Sequence, residues 1–251
     1  MSIDTSRVVR KSGSQLPCAT TILDKGIKLT KIILAGNAIT AEIILAYLRQ
    51  DTRYHVVATT VDDDFVISGT VKGIPSIGLS DLKSTFPSDE ASIVMAMGYD
   101  NLNRNRQSMF ARLKSLGYSI ETYVHPDANV YSEHPIGEGS VILPSAVVEP
   151  RVRIGANTMV WCNVTLAHHS SVAENCWIAS GAVISGQATI SHNTFVGVNA
   201  TIVNGITVGE DNVIGAGALI TKTTKANSVH LARSAEQWRY SAEDYAKYFG
   251  V

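Results

Sequence analysis

Two adjacent histidines, His168 and His169, are the side chains of this chain best suited to moving a proton. A neutral imidazole can act as a general base because its unperturbed pKa is about 6.5. A third histidine, His192, follows 24 residues after His168. Three histidines could instead hold a zinc ion, provided that the fold brings them together. The choice between these chemistries depends on the repeat in which the histidines lie.

That repeat has a period of six residues and runs from Val130 to Ile220. Every sixth residue is Ile, Leu or Val, without an insertion. The third residue after each is rich in Gly, Asn and Asp, which accept the left-handed backbone of a sharp corner. The fourth residue after each is usually small. A period of six fits neither a helix nor an alternating strand, but it fits a short strand followed by a turn.

Three such units close one triangular coil, and stacked coils bury a continuous column of aliphatic side chains. The repeat predicts about five coils and a prism roughly 24 Å tall, at about 4.8 Å per coil. A coil then contains about 18 residues. Since 24 is not a multiple of that period, His192 is predicted at a different corner from His168, which argues against zinc. Three flat faces favour a homotrimer with equivalent clefts.

The chain before the repeat alternates strand-like and helix-like segments. Strands are predicted at 31–34, 55–61, 92–97 and 119–123, and helices at 39–50 and 103–116. This alternation predicts a small parallel sheet of the Rossmann type. Ligands of such sheets bind beyond the carboxyl ends of the strands. The residues expected on that rim are Gly36, Asn37, Asp62, Asp63, Gly98 and Tyr99.

The rim lacks the glycine pattern of a dinucleotide site. A single glycine stands in the segment 36–41, which argues against NAD. Ordinary turns with solvated acidic ends remain an alternative interpretation of the same residues.

Composition narrows the class of protein. The formal net charge is -1, which points to neither a nucleic acid polymer nor an anionic membrane surface. No apolar run is long enough to span a membrane, and residues 1–28 lack the apolar core of a signal peptide. The three cysteines have no metal-type spacing, so we expect a reduced, cytoplasmic setting.

Four segments are expected. They are a flexible leader at 1–28, a Rossmann-like domain at 29–124, the prism at 125–225 and a helical extension at 226–251. Ser234 and Gln237 have the spacing of a capping box, which predicts a helix from Ser234. The aromatic residues that follow suggest that this helix is packed: Tyr240, Tyr245, Tyr248 and Phe249.

A Rossmann-like domain that continues through His125 and Pro126 into a hexapeptide prism resembles a known family. These are the sugar acyltransferases of bacterial surface-polysaccharide biosynthesis, in particular the N-acetyltransferases of nucleotide-linked amino-deoxy sugars. The resemblance covers roughly residues 31–225. It implies an α/β domain followed by a left-handed parallel β-helix, acetyl-CoA or another acyl-CoA as co-substrate, and no metal. A sialic acid type of sugar O-acetyltransferase and a non-catalytic prism scaffold are the alternatives.

The resemblance also assigns the two histidines. The segment 166–174 falls where the family carries its catalytic histidine, which implies that His168 is the general base. The family generally places Asp or Glu next, where this chain has His169. His169 either orients His168 in place of that carboxylate or simply fills a turn position that tolerates left-handed geometry.

Further residues take roles from the same resemblance. It implies that the N–H of Gly186 meets the acyl oxygen, and that the backbone of Val198 and Ala216 holds the pantetheine arm. Trp177 either lines the acyl pocket or covers a face of the prism. Arg106 belongs to the segment that holds the nucleotide. The family's closing Gly-x-Pro-Ala-Lys element is absent.

Overall fold

The computed structural model describes residues 29–67 and 69–250, so the leader expected at 1–28 lies outside the described residues. The N-terminal part contains five strands, three helices and a short 3-10 turn at Asp63–Phe65. In chain order the elements are β1 Thr30–Ala35, α1 Ile39–Leu48, β2 Tyr54–Val61, β3 Thr70–Val71, β4 Ile74–Gly78, α2 Leu79–Thr85, β5 Ser92–Met95 and α3 Arg104–Ser115.

These strands form one sheet in the order β3-β4-β2-β1-β5, parallel except for the β3–β4 pair. The Rossmann-like α/β arrangement is therefore confirmed, although β3, β4 and α2 were not predicted. The strand predicted over 119–123 is wrong: only Ile120 makes a single parallel bridge, to Ile93. Tyr123 and Val124 instead pair with Val141 and Ile142 in the prism, 18 residues onward.

The rest of the chain coils into a prism of two-residue strands, which confirms the parallel β-helix. The strands are β6 Tyr123–Val124, β7 Asn129–Val130, β8 Val141–Ile142, β9 Val147–Val148, β10 Arg153–Ile154, β11 Met159–Val160, β12 Thr165–Leu166, β13 Ser171–Val172, β14 Trp177–Ile178, β15 Val183–Ile184, β16 Thr189–Ile190, β17 Phe195–Val196, β18 Thr201–Ile202, β19 Thr207–Val208, β20 Val213–Ile214, β21 Leu219–Ile220 and β22 Val229–His230.

They form three parallel sheets, one on each face of the prism. The seven-stranded sheet is β22-β20-β17-β14-β11-β8-β6, the six-stranded sheet is β21-β18-β15-β12-β9-β7, and the four-stranded sheet is β10-β13-β16-β19. Successive strands of a sheet pair at an 18-residue offset, as Met159 does with Trp177, except at β20 and β22, where Val213 pairs with Val229.

The core and corners follow the six-residue pattern. The aliphatic residue that ends each strand points inward, and these side chains form one continuous buried cluster. The Gly, Asn and Asp residues at the third position after it adopt left-handed backbone, with φ between 53° at Asn157 and 72° at Gly139. The small fourth residues, such as Ala146 and Ala200, are buried as well.

The outward side chains decide which face the N-terminal domain covers. On the seven-stranded sheet they are large and apolar, and they share a buried cluster with Ile44 and Leu48 of α1: Tyr123, Val141, Met159, Trp177 and Phe195. On the four-stranded sheet they are Arg153, Ser171, Thr189 and Thr207, which have no such partner. The domain therefore packs on the seven-stranded sheet because that sheet alone offers a continuous apolar surface.

Helix α3 runs along the edge between the four-stranded and seven-stranded sheets. Its side chains reach successive coils through four sets of contacts: Lys114 Nζ to Glu138 at 2.6 Å, the Arg106 guanidinium to backbone carbonyls, Asn103 Nδ2 to the Asn193 carbonyl at 3.3 Å, and Arg104 to Asp211 at 2.9 Å. The helix is thereby fixed in position along the prism axis.

Arg106 is the buried member of this series, and its position corrects the nucleotide-binding role predicted for it. Its guanidinium is fully buried and faces no carboxylate among its hydrogen-bond partners. It donates instead to the carbonyls of Gly98 at 3.0 Å, Asn157 at 3.2 Å, Asn175 at 3.1 Å and Cys176 at 3.1 Å, and to Asn103 Oδ1 at 3.0 Å. Burial lowers the pKa of Arg106 to about 10, so the group is still charged at neutral pH.

The last helix, α4, spans Ala242–Phe249, which confirms the predicted C-terminal helix, although it begins after Ser241 and not at Ser234. Ser241 is the N-cap, and its Oγ accepts the backbone N–H of Asp244 at 3.1 Å. Tyr245, Tyr248 and Phe249 are exposed, so this helix is not packed within one chain. Across the part of the chain that the structure describes, no helix combines the length and apolarity needed to cross a membrane.

Replacing Arg106 by Leu should destabilise the protein by roughly 3–5 kcal/mol, because four buried carbonyls lose their donor. Urea unfolding measures the change. Arg104→Gln is the matched control on the same helix, and it should cost less than about 1 kcal/mol because its ion pair is partly exposed. Equal losses for the two variants would contradict the role of Arg106.

Candidate functional site

His168 lies at an exposed corner between β12 and β13. Its backbone N–H donates to Glu149 Oε2 at 2.7 Å. Its imidazole lies against Gly186, one coil onward, where a Cβ would come within 2.6 Å of Cε1 and 2.8 Å of Nε2. Glycine is thus required at position 186 to leave room for the ring. Glu149 was not predicted, although it precedes His168 by 19 residues and the 18-residue coil could have indicated it.

The backbone N–H of Gly186 is free in this arrangement. It donates to no acceptor among the described residues. The next N–H, of Gln187, is used by the carbonyl of His168 at 3.0 Å. A free donor beside an imidazole is compatible with the role in binding an acyl oxygen that was predicted for Gly186.

His169 occupies a turn position and also contacts His168. Its φ is +60°, as the turn interpretation requires. Its Nδ1 lies 3.2 Å from Nδ1 of His168, so one nitrogen donates and the other accepts. When His168 is the donor, its Nε2 keeps a lone pair and can accept a proton. The contact therefore allows His169 to orient His168 as well.

The corner that carries the two histidines differs from the others in its turn residues. We call it the histidine edge; it joins the six-stranded to the four-stranded sheet and comprises 149–152, 167–170, 185–188 and 203–206. On three successive coils its left-handed residues are Arg151, His169 and Gln187, with φ of 64°, 60° and 60°. The other two edges have Gly, Asn, Asp or Ser there: Gly139, Asn157, Asn175, Asn193, Asp211, Ser145, Asn163, Gly181, Asn199 and Gly217.

Left-handed backbone costs an ordinary residue about 1–2 kcal/mol. Arg151 and Gln187 bear this cost on the histidine edge, where His169 between them tolerates the geometry better, and among the corners named above the other edges bear it at Ser145 alone. Unfavourable backbone of this kind concentrates at functional sites. The edge is therefore the part of the prism whose side chains point most directly to a function.

The residues predicted to hold the pantetheine arm of the acyl-CoA do not lie on the histidine edge. Val198 and Ala216 are exposed on the edge that joins the seven-stranded to the six-stranded sheet. One chain therefore places them and His168 at opposite sides of the six-stranded sheet.

Trp177 lies in the interior between domain and prism. Its side chain is only 4% exposed, and its ring centroid is 5.0 Å from that of Tyr99 and 5.1 Å from that of Trp161. This position favours the interpretation that Trp177 covers a prism face over the interpretation that it lines an acyl pocket.

The carboxyl ends of β1, β2 and β5 enclose a cavity of about 390 Å³. It brings together four of the predicted rim residues: Gly36, Asn37, Asp62 and Gly98. Phe65 lies on its wall, where Asn37 Nδ2 donates to the Phe65 carbonyl at 2.7 Å. Gly36 has φ +131°, and a Cβ there would lie 2.5 Å from the Ala96 carbonyl oxygen, so strand packing by itself requires glycine at this position.

Three other predicted residues have different positions. Asp63 accepts the backbone N–H of Ser80 at 3.2 Å and its hydroxyl at 2.9 Å, next to the start of α2. Tyr99 leaves the rim and packs on Phe195 at 4.7 Å between ring centroids. Arg106 is buried under the domain, as described above.

Arg112 of α3 is a cavity residue that the sequence did not reveal. It lines the cavity and donates to Asp62 Oδ1. Its Nε is buried and has no hydrogen-bond partner among the described residues. No local pattern distinguishes Arg112 from Arg106, because only packing decides which arginine of α3 faces the cavity.

His192 is on another edge and pairs with Glu210, at 2.6 Å between Nε2 and Oε2. In residues 29–67 and 69–250, no group of three or more His, Cys, Asp or Glu side chains could hold a metal ion.

Two known families match parts of the prism. "Bacterial transferase hexapeptide (six repeats)" matches residues 136–168, and "Hexapeptide repeat of succinyl-transferase" matches residues 187–222. These matches confirm the hexapeptide-repeat class that the period of six suggested. Among curated proteins, none matches this chain.

Solved structures share the fold over about four fifths of this chain. A His-to-Asn mutant of perosamine N-acetyltransferase from Caulobacter crescentus, in complex with CoA and GDP-perosamine, is similar with a TM-score of 0.72 and 21% identity, over 81% of this chain and 93% of that one. WeeI from Acinetobacter baumannii has a TM-score of 0.70 and 20% identity, over 80% and 96%. The acetyltransferase domain of PglB from Neisseria gonorrhoeae, in complex with acetyl coenzyme A, has a TM-score of 0.51 and 26% identity, over 81% and 97%.

Gly186→Ala should displace the His168 imidazole while leaving the fold intact, since the exposed ring can rotate away from the new methyl group. We expect the ring resonances of His168 and His169 to move in NMR spectra, and those of His192 to stay. Asn204→Ala, one coil onward on the same edge, is the control and should leave all three unchanged. Unaltered His168 resonances in Gly186→Ala would refute the contact.

Proposed function

We propose that this chain is an acetyl-CoA-dependent N-acetyltransferase that acts on the amine of a nucleotide-linked amino sugar. The observation that carries the proposal is the imidazole of His168, which is hydrogen-bonded to His169 and packs against Gly186, whose N–H has no acceptor among the described residues. The similar structures, whose descriptions include CoA, acetyl coenzyme A and GDP-perosamine, support the choice of substrates. The proposed setting is cytoplasmic surface-polysaccharide biosynthesis.

In the proposed reaction, Nε2 of His168 accepts a proton from the sugar amine as the nitrogen attacks the thioester carbonyl. The new N–C bond forms, the C–S bond breaks, and the protonated imidazole returns its proton to the departing thiolate. The N–H of Gly186 donates to the carbonyl oxygen as negative charge develops there. His169 accepts the Nδ1–H of His168 and so holds the tautomer with a free Nε2.

We assign the nucleotide to the cavity at the strand ends. Asp62 follows β2 directly, the position from which an acidic residue hydrogen-bonds ribose hydroxyls in Rossmann folds. Arg112 beside it fixes the carboxylate. Phe65, which is exposed on the wall, offers an apolar surface for a base.

The active site is proposed to form between two subunits. The cavity belongs to the domain on the seven-stranded sheet, whereas the histidine edge joins the other two sheets. In a triangular prism that edge lies opposite the covered face. We therefore propose a homotrimer in which one subunit holds the nucleotide and a neighbour supplies His168. The acyl-CoA would lie between two subunits, with Val198 and Ala216 of one on one side and the histidine edge of the other on the opposite side.

His168→Ala should lower kcat by about 10²–10⁴-fold and leave the KM for acetyl-CoA nearly unchanged, because only the base is lost. His169→Asn should cost less, since Asn suits the left-handed turn and only the orienting contact disappears. Thiol release with a panel of nucleotide-linked amino sugars measures both, and His192→Ala is the control. An inactive His169→Asn with an active His168→Ala would reverse the assignment. Normal rates for both would refute the mechanism.

Mixed trimers test the shared site. Chains with His168→Ala have an intact cavity, and chains with Asp62→Ala and Asn37→Ala have an intact histidine edge. Co-assembled, they should recover activity that neither homotrimer shows, and light scattering should give the mass of a trimer. No recovery in verified mixed trimers, or a monomer at micromolar concentration, would contradict the proposal.

A further inference from the structure

A basic groove opens beside His169, on the side of the earlier coils. A cavity of about 300 Å³ is lined by Glu133, His134, Arg151, Arg153 and His169. It adjoins a groove of about 510 Å³ over the four-stranded sheet, which shares His134 and Arg153. Two guanidinium groups and two imidazoles thus face a single carboxylate, in a chain whose net charge is only -1.

The two arginines of this groove lie on the side of His168 that faces the earlier coils. Arg151 precedes His169 by one coil, and Glu133 precedes Arg151 by another. On the later coils the same edge carries Gly186 and Asn204, which are uncharged. A substrate that approaches His168 from the earlier coils therefore meets Arg151 and Arg153 as well as the carboxylates of Glu133 and Glu149. One that approaches from the later coils meets no charged side chain at 185–188 or 203–206.

The two arginines are available to a ligand. Arg151 has a side chain that is 66% exposed, and Glu133 approaches it only to 3.9 Å. Arg153 points outward from β10 and is exposed. The backbone adds a second indication: Arg151 has φ +64°, where Asn or Gly would fit without strain. An arginine at this position costs stability, and its charged head gains nothing comparable from its own chain.

We propose that Arg151 and Arg153 bind the diphosphate of the nucleotide-sugar acceptor, an inference that rests on the proposed function. With the sugar amine at Nε2 of His168, the diphosphate lies one sugar ring away, and successive coils are about 4.8 Å apart. Arg151, one coil below, is at a suitable distance. The planar guanidinium fork matches phosphate oxygens and binds them in charge-assisted pairs. These arginines hold the phosphates of the molecule whose nucleoside occupies the neighbouring subunit's cavity.

Acetyl-CoA also carries a diphosphate, so the variants must distinguish the two sources. Arg151→Asn removes the charge and installs a residue that favours the left-handed turn, and Arg153→Gln keeps length and polarity. Each should raise the KM for the nucleotide-linked amino sugar about tenfold, as expected for a lost hydrogen bond between charged groups. The KM for acetyl-CoA and kcat should be nearly unchanged. The free amino sugar, which has no phosphate, should be acetylated equally by wild type and variants.

Lys83→Gln, an exposed charge on α2, is the control for a general electrostatic effect and should behave as wild type. A rise in the KM for acetyl-CoA alone would assign the arginines to the donor and overturn the proposal. Equal losses with free and nucleotide-linked sugar would mean that they only support His169, which also overturns it.

Binding of inorganic pyrophosphate gives a readout that does not need turnover. Titration calorimetry on the full-length protein should show binding that weakens at least about tenfold in the double variant Arg151→Asn, Arg153→Gln. If the wild type binds pyrophosphate but transfers no acetyl group, the proposed function is refuted and the anion site is not. Pyrophosphate binding that is equal in both proteins would refute the anion site.

Discussion

The guanidinium of Arg106 determines how the two halves of this protein fit together. A buried cation without a carboxylate is costly, and among the described residues oriented carbonyl dipoles and the ring of Trp177, 5.7 Å from the guanidinium carbon, compensate it. Those carbonyls come from Gly98 at the rim of the domain and from Asn157, Asn175 and Cys176 on two coils of the prism. The set is complete only when α3 is docked in one position along the prism. The burial of one charge therefore fixes where the cavity at the strand ends sits relative to the coils, which apolar packing alone would specify less sharply.

The prism separates its tasks by edge and face because a triangular coil repeats every 18 residues. Side chains that share a position in successive coils form columns, and each column has its own chemistry. Large apolar residues form the column that the domain covers, asparagines and glycines form two of the edges, and charged or titratable residues form the histidine edge. This separation keeps the cavity and His168 of one chain on opposite sides of the prism. A site that needs both must then be assembled from two copies.

Under our proposals, His169 takes the place of the carboxylate that the resembled family has next to its catalytic histidine. A carboxylate beside a catalytic imidazole orients the ring and supplies negative charge, whereas His169 can do only the first through its Nδ1 contact. Around it, Arg151 and Arg153 add positive charge. Under our proposals the diphosphate of the acceptor supplies the negative charge that faces Arg151 and Arg153 in this groove. The strain of Arg151 and His169 in left-handed turns is then the cost of placing these groups one coil apart.

The sequence by itself determined the prism, its aliphatic core, its left-handed corners and the separation of His168 from His192, because each follows from a short local period. It also located the rim, since strand ends are local features, and four of its residues line the cavity. It could not distinguish Arg106 from Arg112, Asp62 from Asp63, or an acyl-pocket role for Trp177 from covering a face of the prism. In each case the residue type is the same or ambiguous, and only the packing of the domain on the seven-stranded sheet decides which way the side chain faces. The tertiary structure alone revealed the basic groove and the ring of His168 against Gly186, because both join residues from different coils.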